Sequence, residues 1–155
     1  MAVFAAAQAL EMAVSIEKNG AAFYTSAAER TEDRELSELF AELAGREEAH
    51  RQVFEGMAER VEPASRPTES DVGDYASFLE VALDHAVFSG QDKALRMAEE
   101  ADTREEALRA AMGFEKDTML FYYDLREMVA EKDREIISEV IQEEKKHLRR
   151  LADNV

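Results

Sequence analysis

Six side chains have types and spacing that suit divalent metal: Glu17, Glu47, His50, Glu115, Glu144 and His147. Glu47 with His50 and Glu144 with His147 form two Glu-x-x-His pairs. On a helix, residues i and i+3 share a face, so each pair can grip an ion with a carboxylate oxygen and an imidazole nitrogen. All six interrupt apolar seams. One seam reads Leu36, Leu39, Leu43, Glu47, His50, Phe54, Met57, Val61, in steps of three and four. A second reads Ile137, Val140, Glu144, His147, Leu151. Glu17 lies in Leu10, Val14, Glu17, Ala21, Tyr24, Ala28, and Glu115 in Leu108, Met112, Glu115, Met119, Tyr122, continuing to Leu125 or Arg126. Burying four carboxylates without compensation costs roughly several kcal/mol each. No lysine or arginine sits beside them on the seams. Two divalent cations would neutralise the four charges, and neutral histidine adds nitrogen ligands at the same level.

The seams belong to four long helical segments, about 3–30, 33–61, 103–130 and 133–152, rich in Ala, Leu, Glu, Arg and Met. Thr103 and Glu106 form a capping-box pattern at the start of the third. Short turns at 31–33 and near 131–132 predict two antiparallel hairpins. Residues equidistant from a hairpin turn lie at equal height. The midpoint of Glu17 and Glu47 falls at 32, inside the first turn, and that of Glu115 and Glu144 at 129.5, close to the second. Each lone Glu should therefore face the Glu-x-x-His of its partner helix. Between the hairpins runs a long connection, 62–102, opening on Pro63-Ala64-Ser65-Arg66-Pro67. A short helix is predicted over about 72–88, carrying Tyr75, Phe78, Leu79, Ala82 and Leu83. It ends at Ser89-Gly90, with another helical piece over 92–100. The expectation is one all-α domain over 1–155: hairpin 3–61, crossover 62–102, hairpin 103–152, closing as an antiparallel four-helix bundle.

The halves repeat each other. Glu17-Lys18 and Phe23-Tyr24 match Glu115-Lys116 and Phe121-Tyr122 at an offset of 98, and Glu47 and His50 match Glu144 and His147 at 97. Two half-sites related by a pseudo-two-fold axis would make a two-metal centre with six protein ligands. With the stretches Ala-Gly-Arg-Glu-Glu-Ala-His-Arg-Gln-Val-Phe (44–54) and Glu-Lys-Asn-Gly-Ala-Ala-Phe-Tyr (17–24), the chain resembles the ferritin-like superfamily, most closely the rubrerythrin family, over nearly its whole length. The resemblance implies a di-iron carboxylate redox protein that reduces H2O2 or O2 at two Fe ions. It makes Glu47 and Glu144 bridging ligands, Glu17 and Glu115 terminal ones, and His50 and His147 the nitrogen ligands. It gives Tyr24 and Tyr122 hydrogen bonds to ligand carboxylates. It also implies a homodimer and a peroxidase role in oxidative stress, and the absence of Cys fits a cytoplasmic protein. Two departures stand out. The family's rubredoxin domain is missing, so an external electron-donor protein is expected. The further Glu that familiar members carry after the third-helix ligand is Thr118 here, with Gly20 as its counterpart in the first helix. Such small residues could leave coordination positions open for O2, peroxide or water.

The alternatives are a ferroxidase or iron-handling protein, and a non-redox bundle holding Zn or Mn, since six N and O ligands do not choose among these metals. The composition narrows the rest. There is no Cys, which excludes disulfides, thiolate metal sites and a Cys nucleophile. The 35 Asp and Glu against 19 Lys and Arg give a net charge of −16, which repels nucleic acid and anionic membrane and attracts cations. No apolar run is long enough to span a bilayer. The apolar start, 1–10, lacks a basic flank and reads as the first turns of a helix, not as a leader. His85, beside Asp84, reads as structural, Glu48 and Glu143 as solvated neighbours of the ligands, and the seven Met as core fillers.

Overall fold

The computed structural model describes residues 2–60 and 90–155, with side chains from residue 6 onward. Five helices make up these residues: α1 (Ala2–Arg30), α2 (Arg34–Glu59), α3 (Gln91–Glu100), α4 (Arg104–Met128) and α5 (Glu131–Asp153). The predicted helix over 72–88, His85 and Val61 lie outside the described residues. No described helix is long and apolar enough to cross a membrane.

Local chemistry sets the helix ends. Asp33 caps α2 by accepting from Leu36 N–H at 3.1 Å, and the Ser37 hydroxyl donates back to Ala28 O at 2.7 Å, closing the first turn. Thr103 caps α4 by accepting from Glu106 N–H at 3.1 Å. The Glu106 carboxylate reaches the Asp102 N–H at 2.9 Å, one residue outside the cap it was expected to close. The second turn lies earlier than the predicted 131–132. Val129 and Ala130 make the connection, and α5 begins at Glu131 with Glu131 and Asp133 in its first turn. Carboxylates there complement the helix dipole, so the acidic run extends the helix toward its N-terminus instead of interrupting it.

The helices form an antiparallel bundle, α1 against α2 and α4 against α5, with α3 lying on α1. The α2 and α5 seams are buried as expected, from Leu36 to Met57 and from Ile137 to Leu151. Those of α1 and α4 are broader. Ala21, Ala28, Met112 and Met119 are only half-buried, while Ala13, Ile16, Phe23, Ala27, Ala111, Phe114 and Phe121 are buried. Helix α1 packs against α2, α3 and α4, and a helix enclosed on three sides needs a wider apolar arc than one stripe. At the end of the α4 seam, Leu125 is the buried residue, and Arg126 turns to Ser138 Oγ at 3.3 Å.

The apolar core is split in two. One layer holds Ile16, Phe54, Phe114, Phe121, Leu125, Ile137 and Ile141. The other holds Phe23, Leu36, Phe40, Leu43, Leu108 and Leu151. The ligand-type side chains occupy the waist between them. Arg104 ties one end of the bundle, pairing with Asp33 and donating to Asn154 O at 3.2 Å, and Arg60 ties the other, 3.1 Å from Asp133.

Candidate metal centre

All four helices of the bundle contribute to the waist. Glu17 comes from α1, Glu47 and His50 from α2, Glu115 from α4, and Glu144 and His147 from α5. The four carboxyl groups are fully buried and the two rings nearly so, with 4% exposure each. They fall into two overlapping sets, Glu17–Glu47–His50–Glu144 and Glu47–Glu115–Glu144–His147. Within each set, one donor atom per residue lies within 4.8 Å of every other. Glu47 and Glu144 belong to both. The two imidazole rings stack across the waist, with centroids 5.9 Å apart.

Each tyrosine reaches across to the other hairpin. The Tyr24 hydroxyl donates to Glu115 Oε1 at 2.5 Å, and the Tyr122 hydroxyl donates to Glu17 Oε1. Both phenols are held well above their usual range by burial and by the Glu they face, so they stay protonated donors. Thr118 is buried but contributes nothing to the cluster, since its hydroxyl donates to Phe114 O at 2.9 Å, one turn back along α4.

The polar accounting does not close within the protein. Glu17 Oε2, both oxygens of Glu47 and Glu115 Oε2 are buried without a hydrogen-bond donor. Native interiors rarely leave such groups alone. The electrostatics tell the same story. Burial, then the charges of Glu47 and Glu144, push Glu17 well above the usual carboxylate range. Burial, then Glu144 and Glu47, do the same to Glu115. Glu47 is raised by burial and by Glu144. Burial also pushes on Glu144, but hydrogen bonds from His147 at 3.0 Å and His50 at 2.9 Å outweigh it and hold that carboxyl low. Burial disfavours both imidazolium ions, yet the surrounding carboxylates win, raising His50 and bringing His147 to about 9. A cluster of acceptors that retains protons this strongly is one from which a divalent cation can displace them. Hard oxygen donors with two imidazoles suit Fe, Mn or Zn.

The family model described as rubrerythrin matches residues 8–154. The chain belongs to the rubrerythrin family. Its fold is similar to the crystal structure of a Thermotoga maritima protein described as a ferritin-like diiron-carboxylate protein, with a TM-score of 0.71 and 25% identity, over 96% of this chain and 92% of that one. No curated protein matches the sequence. The architecture is thus a rubrerythrin-family, ferritin-like bundle with a buried carboxylate and histidine cluster that fits a metal site.

Glu143 was expected to be a solvated neighbour. Instead its Oε2 lies 2.9 Å from His50 Nε2, and the same carboxylate pairs with Arg46. The residue at the equivalent position of the other hairpin is Arg46 itself, at the offset of 97 that relates the ligand-type pairs. That exchange of charge between matched positions was the available signal. Glu48 stays at the surface, held by Arg51.

Proposed function

We propose that this rubrerythrin-family protein is a di-iron oxidoreductase that reduces peroxide or O2, with electrons from a separate donor protein. The observation that supports the reading is the pair of overlapping donor sets sharing Glu47 and Glu144, with buried oxygens that no protein group satisfies. Glu17, Glu47, His50, Glu115, Glu144 and His147 are the residues that would hold the metals. When bound, two ferrous ions supply together the two electrons that the oxidant takes. The chain does the rest. Tyr24 and Tyr122 hold one oxygen of Glu115 and Glu17 and leave the second without a donor. Each keeps its own proton at the phenol oxygen, at hydrogen-bond distance from a ligand carboxylate. Phe40 flanks Tyr24 and Phe54 flanks Tyr122, with ring centroids 5.9 and 5.0 Å away, so the phenol side of the site is dry. Thr118 and Gly20 add no further carboxylate to the cluster, and the space over Gly20 is taken by the Glu47 carboxylate.

Stopped-flow oxidation of the anaerobically Fe(II)-loaded protein tests this. Faster oxidation by H2O2 than by O2, without retained mineral, is the expected result. The net charge of −16 favours a second reading, in which Fe(II) is drawn in as a substrate and leaves oxidised, and retained ferric mineral would mark it. No redox response in protein carrying its native metal, identified by elemental analysis after purification without added metal, would sink both. A homodimer is part of the proposal, and sedimentation equilibrium tests it.

A further inference from the structure

The two histidines look alike toward the carboxylates and differ on the other side. His50 is held at both ring nitrogens, with Nδ1 2.9 Å from Glu144 Oε1 and Nε2 2.9 Å from Glu143 Oε2. The Glu143 carboxylate is anchored in turn by Arg46. The close contacts of His147 with Glu144, Glu47 and Glu115, at 3.0, 3.5 and 3.8 Å, all run through Nδ1. The position that could supply a carboxylate to its Nε2 by the internal repeat is Arg46. A guanidinium only donates, so it cannot take a proton from an imidazole N–H. The matched positions, one acid and one base, pair with each other at the rim of the waist, and only His50 gains.

We propose that Glu143 is a positioning residue that makes the donor set Glu17–Glu47–His50–Glu144 the tighter of two divalent-metal positions, filled before Glu47–Glu115–Glu144–His147. This rests on reading the cluster as a metal pair. A ring that binds metal through Nδ1 must carry its proton on Nε2. An acceptor waiting at Nε2 fixes that tautomer, fixes the ring plane and strengthens the nitrogen as a ligand. Loss of such a partner typically costs about 10–100-fold in metal affinity. Glu143 is one-third exposed on its side chain, so changing it leaves the core intact.

Calorimetric titration of the metal-free protein with Co(II) tests the inference on wild type, Glu143→Gln and, as a control for charge alone, Glu48→Gln. Wild type should bind two ions in resolved steps. Glu143→Gln should weaken the tighter step about 10–100-fold and spare the other, and Glu48→Gln should match wild type. Unresolved wild-type steps, an unchanged Glu143→Gln titration or equal weakening of both steps would overturn the inference while leaving the metal pair standing. Wild type that binds no Co(II) would remove the metal pair itself. A second measurement needs no variant. In Zn(II)-loaded wild type, ring 15N spectra should show an Nε2 proton that exchanges slowly on His50 and quickly on His147, and equal exchange would refute the proposal.

Discussion

Glu47 and Glu144 occupy matched positions in the two hairpins, and the protein treats them in opposite ways. Glu144 receives His50 on one oxygen and His147 on the other and is held low. Glu47 has no close hydrogen bond on either oxygen, His147 Nδ1 standing 3.5 Å from Oε1, and is raised. The tyrosine pair, by contrast, is matched, Tyr24 onto Glu115 and Tyr122 onto Glu17. The repeat has kept its symmetry among the buried donors that orient Glu17 and Glu115 and lost it where the histidines meet the two carboxylates common to both donor sets. In the metal-free protein, both rings therefore lean on Glu144, and Glu47 is the side chain with most to gain from a cation.

The largest effect should come from replacing these two residues. Glu47→Gln and Glu144→Gln should each abolish binding of both ions in Co(II) titrations, because each belongs to both donor sets. Their effects on the metal-free protein should be opposite. Glu144→Gln breaks a buried charge network and should cost about 3–5 kcal/mol in urea unfolding. Glu47→Gln replaces an acceptor-only carboxyl that lacks close donors with an amide that can donate to the carboxylates around it, and should stabilise by about 1–3 kcal/mol. Two variants that shift stability in the same direction would mean that the two carboxylates are equivalent after all.

Acidity sharpens the same contrast. Glu17, Glu47 and Glu115 lie above their ordinary value of 4.5, and His50 and His147 above 6.5, His147 at about 9. The folded metal-free protein then binds more protons than the unfolded chain, and its stability falls as pH rises from about 5 through 9. Each extra proton retained contributes about 1.4 kcal/mol per pH unit to that slope. Glu144 works the other way, but its contribution is lost only as pH falls below 4.5. Metal loading removes the retained protons, so scanning calorimetry should show the melting temperature of the metal-free protein dropping between pH 5 and 9 and that of the loaded protein holding or rising.

The interior of this bundle was legible because its chemistry is periodic. Glu47 and His50 fall on the same three-four steps as Leu43 and Phe54, so their burial follows from the seam. The equal heights of Glu17 and Glu47 follow from a turn that Asp33 and Ser37 close where the spacing put it. The rim was legible only through the repeat, as Arg46 standing where the other hairpin has Glu143. Glu143 and Arg46 belong to a surface crowded with charge, where no period separates a solvated Glu from one aimed at an imidazole. The second turn was misplaced for a related reason. An acidic run looks the same whether it breaks a helix or begins one, and here it begins α5. The wide buried arc of α1 depends on α3, whose docking leaves no mark in the α1 pattern.

The matched tyrosines offer the control. Tyr24→Phe and Tyr122→Phe each leave one more buried carboxylate oxygen without a donor. Each should destabilise the metal-free protein by about 1–3 kcal/mol. If the symmetry holds at this level, the two losses should agree within error in urea unfolding. Unequal losses would carry the asymmetry of the shared carboxylates into the phenol side as well.

The smallest effect concerns how Glu47 finds room. A Cβ at Gly20 would sit 2.6 Å from Glu47 Oε2 and 3.2 Å from Phe114 Cε1, whereas one at Gly56, also helical, would meet nothing within 4 Å. Gly56→Ala should therefore show the ordinary gain of a helical alanine, about 1 kcal/mol, with metal binding unchanged. Gly20→Ala offers the same backbone gain but pushes the Glu47 carboxylate off α1, and Phe114 blocks the methyl from yielding. Its stability gain should be smaller, and Co(II) affinity should fall about tenfold in both steps, because Glu47 serves both donor sets. The other half provides the reason to expect this only on α1. The counterpart of Gly20 is Thr118, which already carries a Cβ and is accommodated, since Glu144 is drawn toward the two histidines. If Gly20→Ala bound Co(II) like wild type, the close approach of Glu47 to α1 would be incidental, and the difference between the two shared carboxylates would lie in the histidines alone.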